Sequence, residues 1–232
     1  MTIQHHLSDA TLSAYVSGSL SEAMSLVAAS HISLCPICFE RKTRMEELGG
    51  ILLDNSEPEA MSVGALQSTL AKLDQEEQDQ FDGSALSTAS VFSLKTDNFV
   101  EKDTSMIPMP LQNFIPDNFD DIKWKLLVPG IKYCAIPDLK TDGGTLCMLN
   151  ISPGIKIPQH GHEGTELTQV LKGSFSDDVG CFGVGDVVDL DDDIEHQPIV
   201  SSNQPCICLI ASEAPLKFTG LIPRVAQYLS GM

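Results

Sequence analysis

Basic residues are scarce in this chain. Lys and Arg number 14 against 32 Asp and Glu, a formal net charge of −18 over 232 residues. Such a field repels phosphates, so direct nucleic-acid binding is not expected and a basic protein partner is favoured. No apolar run approaches the ~20 residues of a membrane helix. Met1 to Leu12 is polar and lacks the basic-then-apolar layout of a secretion signal. The expectation is a cytoplasmic protein without membrane contact. An even set of cysteines is also missing: there are 7. Without a secretion signal, an odd count argues against a disulfide framework and for reduced thiols. At 232 residues the chain has room for two domains, and neither disulfide nor metal is required merely by size.

The first 80 residues read as helices. Ser8 or Asp9 can cap a helix through Leu12, Tyr15 and Val16. Ser19-Leu20-Ser21-Glu22 has capping-box spacing, which predicts a second helix carrying Met24, Val27, Ala28 and His31. Pro36 suits the first turn of a third, where its missing N–H costs nothing; that helix runs to about Leu53, with Gly49-Gly50 as a weak point. Ser56-Glu57-Pro58-Glu59 repeats the capping-box pattern ahead of Leu66, Leu70 and Leu73, an i, i+4, i+7 stripe that serves either as core or as a partner-binding face. A polar run from Gln75 and the Ser/Gly-rich stretch behind it form no core and read as a linker. Beyond Ile107, short apolar runs such as Thr145–Leu149, Leu167–Leu171 and Cys206–Ile210 alternate with Gly, Pro, Asp and Asn. They predict an all-β sandwich or barrel, with a last helix over Pro223–Leu229.

Two constellations carry chemistry. In the first, His31 and Cys35 stand at i, i+4 on one helix face, and Cys35-Pro36-Ile37-Cys38 turns the chain to return a second thiolate. Three such ligands in eight residues make a partial tetrahedral zinc site, completed by His6 or His5 from upstream. The helical setting on both sides disfavours a redox dithiol, which belongs in a βαβ context. In the second, His160 and His162 stand at i, i+2, so a strand points both to one side. Glu166 follows from the next strand or turn, and His196 comes from a later strand. Three imidazoles and a carboxylate suit zinc, manganese, iron or nickel, and spacing does not choose among them.

These residues also carry a resemblance. His31-x3-Cys35-x2-Cys38 with an upstream histidine is similar to the zinc-binding anti-sigma domain of bacteria, whose pattern makes His6 the fourth ligand. Gly154-x5-His160-x-His162-x3-Glu166-x6-Gly173 resembles the first cupin motif at every spacing. Gly185-x5-Asp191-x-Asp193-x2-His196 resembles the second, with Asp191 and Asp193 where Pro and Gly are usual and Val200 where Asn is usual. Together they resemble the ChrR-type anti-sigma factors. The implied chain is multidomain α and β. A small all-α zinc-binding helical domain covers 1–80, a flexible linker 81–105, and an all-β cupin (double-stranded β-helix) barrel 106–232. The metal ligands implied are His6, His31, Cys35 and Cys38 for structural zinc, and His160, His162, Glu166 and His196 for zinc or another divalent transition metal. The implied function is not enzymatic: binding and inhibition of a group IV (ECF) sigma factor, and its release under singlet oxygen or organic peroxide. The competing readings are a cupin metalloenzyme, a dioxygenase or isomerase with a zinc-stabilised helical accessory domain, and a metal-storing scaffold.

The remaining candidates read more plainly. Cys206-x-Cys208 points two thiols to one strand face, as buried core by default and as an oxidant sensor in the sharper reading. Cys134, Cys147 and Cys181 read as core or unremarkable, Trp124 as core, and Asp191–Asp193 as a solvated turn.

Overall fold

The computed structural model describes residues 2–75, 107–136, 139, 141, 143–161, 164–191, 195–214 and 217–218. All of the expected linker (81–105), the expected helix over Pro223–Leu229, Asp193 and His162 lie outside them.

Four helices come first: α1 (Asp9–Val16), α2 (Glu22–Ile32), α3 (Pro36–Asp54) and α4 (Ala65–Gln75). Ser8 caps α1 by accepting from the Thr11 N–H at 3.1 Å. Gly18, at φ +70°, ends it: the Gly18 N–H donates to the Tyr15 carbonyl and the Ser19 N–H to the Ala14 carbonyl. Ser19 is thereby used to close α1. The cap of α2 is Ser21, whose hydroxyl accepts from the Met24 N–H, and not the expected Ser19. Likewise Ser56 does not open α4. Its hydroxyl donates to the Leu53 carbonyl at the end of α3, and α4 begins only at Ala65, after Gly64.

Among the described residues eleven strands follow: β1 (Lys125–Val128), β2 (Ile131–Ala135), β3 (Thr145–Ile151), β4 (His160–Gly161), β5 (Glu166–Lys172), β6 (Ser174–Ser176), β7 (Cys181–Gly183), β8 (Val187–Leu190), β9 (Ile199–Val200), β10 (Cys206–Ser212) and β11 (Lys217–Phe218). A six-stranded sheet runs β1-β2-β3-β10-β5-β8, a three-stranded sheet β7-β6-β9, and β11 pairs with β4; every pairing is antiparallel. Phe175, Phe182 and Val200 of the smaller sheet pack with Cys147, Leu149, Val170, Cys208 and Ile210 of the larger one to form the sandwich interior.

The outer face of the large sheet is not solvated. Leu146 and Met148 of β3, Ile207, Leu209 and Ala211 of β10, and Leu167 and Leu171 of β5 share one core with Met24, Val27, Ala28 and Ile32 of α2. This explains why β10, Cys-Ile-Cys-Leu-Ile-Ala-Ser, is buried at all seven positions instead of alternating with polar residues. It also explains why α2 lacks a polar face: eight of its eleven residues are buried. Residues 1–50 and 103–232 accordingly form one compact unit. The second, residues 51–102, begins within α3 just after Gly49-Gly50. In it Ile51, Leu52, Leu53, Leu66 and Leu70 are exposed.

Gln169 interrupts the apolar contact between α2 and the sheet. It lies in register with Leu209 and is fully buried, and neither its amide oxygen nor its nitrogen has a hydrogen-bond partner among the described residues. Leu209→Ala should destabilise residues 1–50 and the sandwich together by roughly 2–5 kcal/mol. Gln169→Leu should stabilise both by about 1–3 kcal/mol, because the unpaired amide is removed. Urea unfolding followed by helical circular dichroism and by fluorescence of Trp124 should give coincident midpoints in both variants; separate midpoints would refute a shared core.

Candidate metal centres

The first cluster forms where α2 hands over to α3, two helices whose axes bend by 119° across the break. His31 lies in the last turn of α2. Cys35 lies in the connection just after α2, its N–H donating to the His31 carbonyl at 2.9 Å, the i+4 to i bond of a helical turn, so Cys35 stands one turn beyond His31. Pro36 opens α3, and the Cys35 sulfur accepts from the Cys38 N–H at 3.4 Å, so one thiol caps the helix that carries the other. His6 arrives on the segment before α1, Nδ1 3.2 Å from Cys35 Sγ, and His31 Nε2 stands 3.3 Å from Cys38 Sγ. One ligand atom from each of His6, His31, Cys35 and Cys38 lies within 4.8 Å of every other. His5 faces elsewhere, its ring 4.4 Å from that of Phe182 in the β-sandwich.

The donor set fits a tetrahedral zinc ion. The nitrogen–sulfur separations approach the roughly 3.5 Å edge of a tetrahedron built from zinc–sulfur and zinc–nitrogen bonds. Burial lowers the His31 pKa to about 4, so the imidazole is neutral at pH 7. Its Nδ1 donates to the Gly185 carbonyl at 2.9 Å, which leaves the lone pair on Nε2, on the cluster side. Burial and the neighbouring Cys35 raise the Cys38 thiol to about 11, against an opposing backbone hydrogen bond from Leu7. A divalent cation is the natural counter-charge for thiolates in such a place.

A neighbouring group was not legible in the sequence. Asp186, beside the Gly of the second cupin motif, accepts from the Gln4 and His5 N–H groups on Oδ1 at 2.7 and 3.0 Å and from the Gly183 N–H on Oδ2 at 2.9 Å. Burial pushes its pKa up, but the Gly183, His5 and Gln4 N–H groups and the His5 ring outweigh this and hold the carboxyl below its usual range. Asp189 accepts from the Ser8 N–H at 2.8 Å, and Arg41 of α3 donates to the Leu7 carbonyl at 2.8 Å. The segment carrying His6 is thus pinned on both sides.

The second cluster lies in the β-sandwich. His160 of β4 and His196 exchange backbone hydrogen bonds at 3.1 and 3.2 Å, which sets their rings 4.6 Å apart, and Glu166 opens β5. Ligand atoms of His160, Glu166 and His196 lie within 4.8 Å of one another, and all three residues are buried. The His160 Nδ1 donates to the Pro158 carbonyl at 2.9 Å and the His196 Nδ1 to the fully buried Asp177 carboxylate at 2.8 Å. Both contacts select the tautomer with the lone pair on Nε2, as metal-binding histidines require. Thr168 donates to Glu166 at 3.0 Å. Gly154, Gly173 and Gly185, the glycines of the two motifs, all have positive φ. The donor set fits a divalent transition metal.

Cys206 and Cys208 point into the same interior with their sulfurs 3.6 Å apart. The hydrogen bond the Cys208 thiol makes to Cys206, then burial, holds it well above its usual pKa; burial raises Cys147 to about 12. Protonated thiols are poor nucleophiles, which agrees with the core reading. Cys181, by contrast, is exposed.

Residues 114–215 match the family described as the ChrR Cupin-like domain. The anti-sigma-E factor ChrR of Cereibacter sphaeroides is 37% identical over 228 residues, covering 98% of each chain. This chain belongs to the ChrR family of anti-sigma factors. A chain in the crystal structure of Rhodobacter sphaeroides SigE in complex with the anti-sigma ChrR superposes with a TM-score of 0.69 at 34% identity, covering 91% of this chain and 99% of that one. An RmlC-like cupin protein from Ralstonia eutropha is also similar, at 20% identity and a TM-score of 0.36, covering 50% of this chain and 86% of its own. Among the described residues of this family member, no single helix is long and apolar enough to cross a membrane.

Protons compete with metal for the Cys38 sulfur, whereas His31 is already deprotonated at neutral pH. Zinc affinity at the first cluster should therefore rise about tenfold per pH unit for each thiol proton displaced, between about pH 6 and 8. Competition with a chromophoric chelator measures this, and a flat profile would contradict it.

Proposed function

We propose that this chain inhibits a group IV (ECF) sigma factor in the cytoplasm and releases it under oxidative stress such as singlet oxygen or organic peroxide. The observation that carries the reading is the likeness along 98% of the chain to an anti-sigma factor, together with the likeness to a structure described as a complex with SigE. In this reading residues 1–80 hold the partner, 81–105 link, and 106–232 respond to the signal. His6, His31, Cys35 and Cys38 hold zinc, which clamps the ends of α2 and α3 to the segment before α1. His160, Glu166 and His196, with His162, hold the second metal, zinc or another divalent ion. Bound zinc would supply structural crosslinking at the first site; the chain's own residues present the partner surface.

The surface chemistry supports this. α3 exposes Ile37, Phe39 and Leu48, and α4 exposes Leu66 and Leu70, apolar side chains that a partner would cover. The net charge of −18 favours a basic partner and disfavours DNA. The role is regulatory, not enzymatic, in keeping with the name of the relative.

Co-expression with an ECF sigma factor encoded in the same genome, followed by co-purification and metal analysis, tests the proposal. Wild type should co-purify with the sigma factor. The Cys35→Ser, Cys38→Ser double variant should lose one metal equivalent and the partner together. The His160→Ala, His162→Ala double variant should lose the other metal, keep the partner, and lose release by organic peroxide. Full partner binding by a metal-free Cys35→Ser, Cys38→Ser protein would overturn the assignment.

A further inference from the structure

A single hairpin touches both clusters. It consists of β6 and β7, with a turn on to Asp186. At its tip, Asp177 uses both carboxylate oxygens: Oδ2 accepts from His196 Nδ1, and Oδ1 accepts from the Val179 and Gly180 N–H groups at 2.9 and 3.0 Å. The group that orients a ligand of the second cluster therefore also shapes the hairpin turn. That turn leads directly to His5. A Cβ built on Gly180 would stand 3.4 Å from His5 Nε2, and the ring of Phe182 on β7 lies 4.4 Å from that of His5. At the base, Gly183–Asp186 forms the contact to the first cluster. Asp186 holds the main chain of Gln4 and His5, immediately before His6, and Gly185, at φ +90°, presents its carbonyl to His31 Nδ1. Two of the four residues of the first cluster thus depend on the β-sandwich for their placement.

We propose that this hairpin joins the two centres into one unit, with Asp177 positioning His196 at one end and Gly185 and Asp186 positioning His31 and His6 at the other. The inference rests on the reading of both clusters as metal sites. A change at the second centre that moves His196 shifts Asp177, then the 177–180 turn, then the seat of His5. The first centre responds because His6 is the next residue. Coupling runs both ways, as linkage requires: losing metal at the first centre loosens the seat of residues 183–186. Asp177, Gly185 and Asp186 act through the ligands and are positioning residues.

The test uses the full-length chain loaded with cobalt(II). Among the described residues, the first cluster carries cysteines and the second does not, so thiolate-to-cobalt charge-transfer absorption reports the first centre. Its loss to excess EDTA is timed in wild type, Asp186→Ala, Asp177→Asn and Ile131→Ala. Asp177→Asn retains an amide oxygen for the turn but removes the carboxylate from His196. Ile131→Ala weakens the sandwich interior outside the hairpin. Asp186→Ala should lose cobalt roughly 10–100-fold faster, the usual effect of removing an outer partner of a ligand. Asp177→Asn should speed loss at this remote centre about 2–30-fold. Ile131→Ala should match wild type. If Asp186→Ala does not fold, Asp186→Asn takes its place, with the same direction expected. Wild-type rates in Asp177→Asn would overturn the link between the centres, and so would equal acceleration by Ile131→Ala. A wild-type protein that shows no charge-transfer band at all removes the metal reading of the first cluster and this inference with it. A normal band with unchanged rates removes the inference alone.

Discussion

The contact between α2 and the β3–β10–β5 face is the constraint on which the rest of the molecule depends. α2 brings Met24, Val27, Ala28 and Ile32 to one side of the sheet, and Leu167, Met148, Leu209 and Ala211 answer from the other. Neither surface tolerates water: a helix with eight of eleven residues buried and a strand with seven of seven buried are each incomplete without the other. His31 sits one residue from the end of that helix, so the packing that buries α2 also carries an imidazole to the β8 edge of the sheet, against Gly185.

That placement makes the first cluster a product of two parts of the chain distant in sequence. Cys35 and Cys38 are local, set by a Pro36-opened helix in which the Cys35 sulfur accepts from the Cys38 N–H. His6 and His31 are not. Their orientation depends on Asp186 and Gly185, more than 150 residues downstream. Removing a buried group of this kind leaves its partners unpaired, which costs more than the hydrogen bond itself contributes. The second cluster follows the same rule at closer range: Pro158 and Asp177 fix the two described imidazoles before any metal is considered. For His31, His160 and His196 the acceptor at Nδ1 determines which nitrogen faces the ligand set.

Gln169 runs against this economy. A buried amide without a partner, in the middle of an otherwise apolar contact, weakens the grip of the sheet on α2.

Much of this was legible in the residues alone. Capping and turn chemistry located α1, α2, α3 and every long strand, because those signals act over three or four residues. The same locality misled at Ser19 and Ser56: each has capping-box spacing, but each hydroxyl closes the preceding helix, a choice made by which end of the chain forms its hydrogen bonds first in space. Ligand spacing marked His31, Cys35, Cys38, His160, Glu166 and His196, since metal geometry demands particular residue types at particular intervals. It left His5 and His6 open, because neighbours in sequence differ only in what they face. Asp177 and Asp186 carried no signal, for a carboxylate in a turn is ordinary until something distant donates to it. The sequence by itself determined the helices, the long strands and the order of the two motifs, all properties of short stretches of chain. Only the tertiary structure decided that residues 1–50 and the sandwich share one core and that residues 177–186 hydrogen-bond to members of both clusters, because long-range burial and buried hydrogen bonds exist only once remote segments meet.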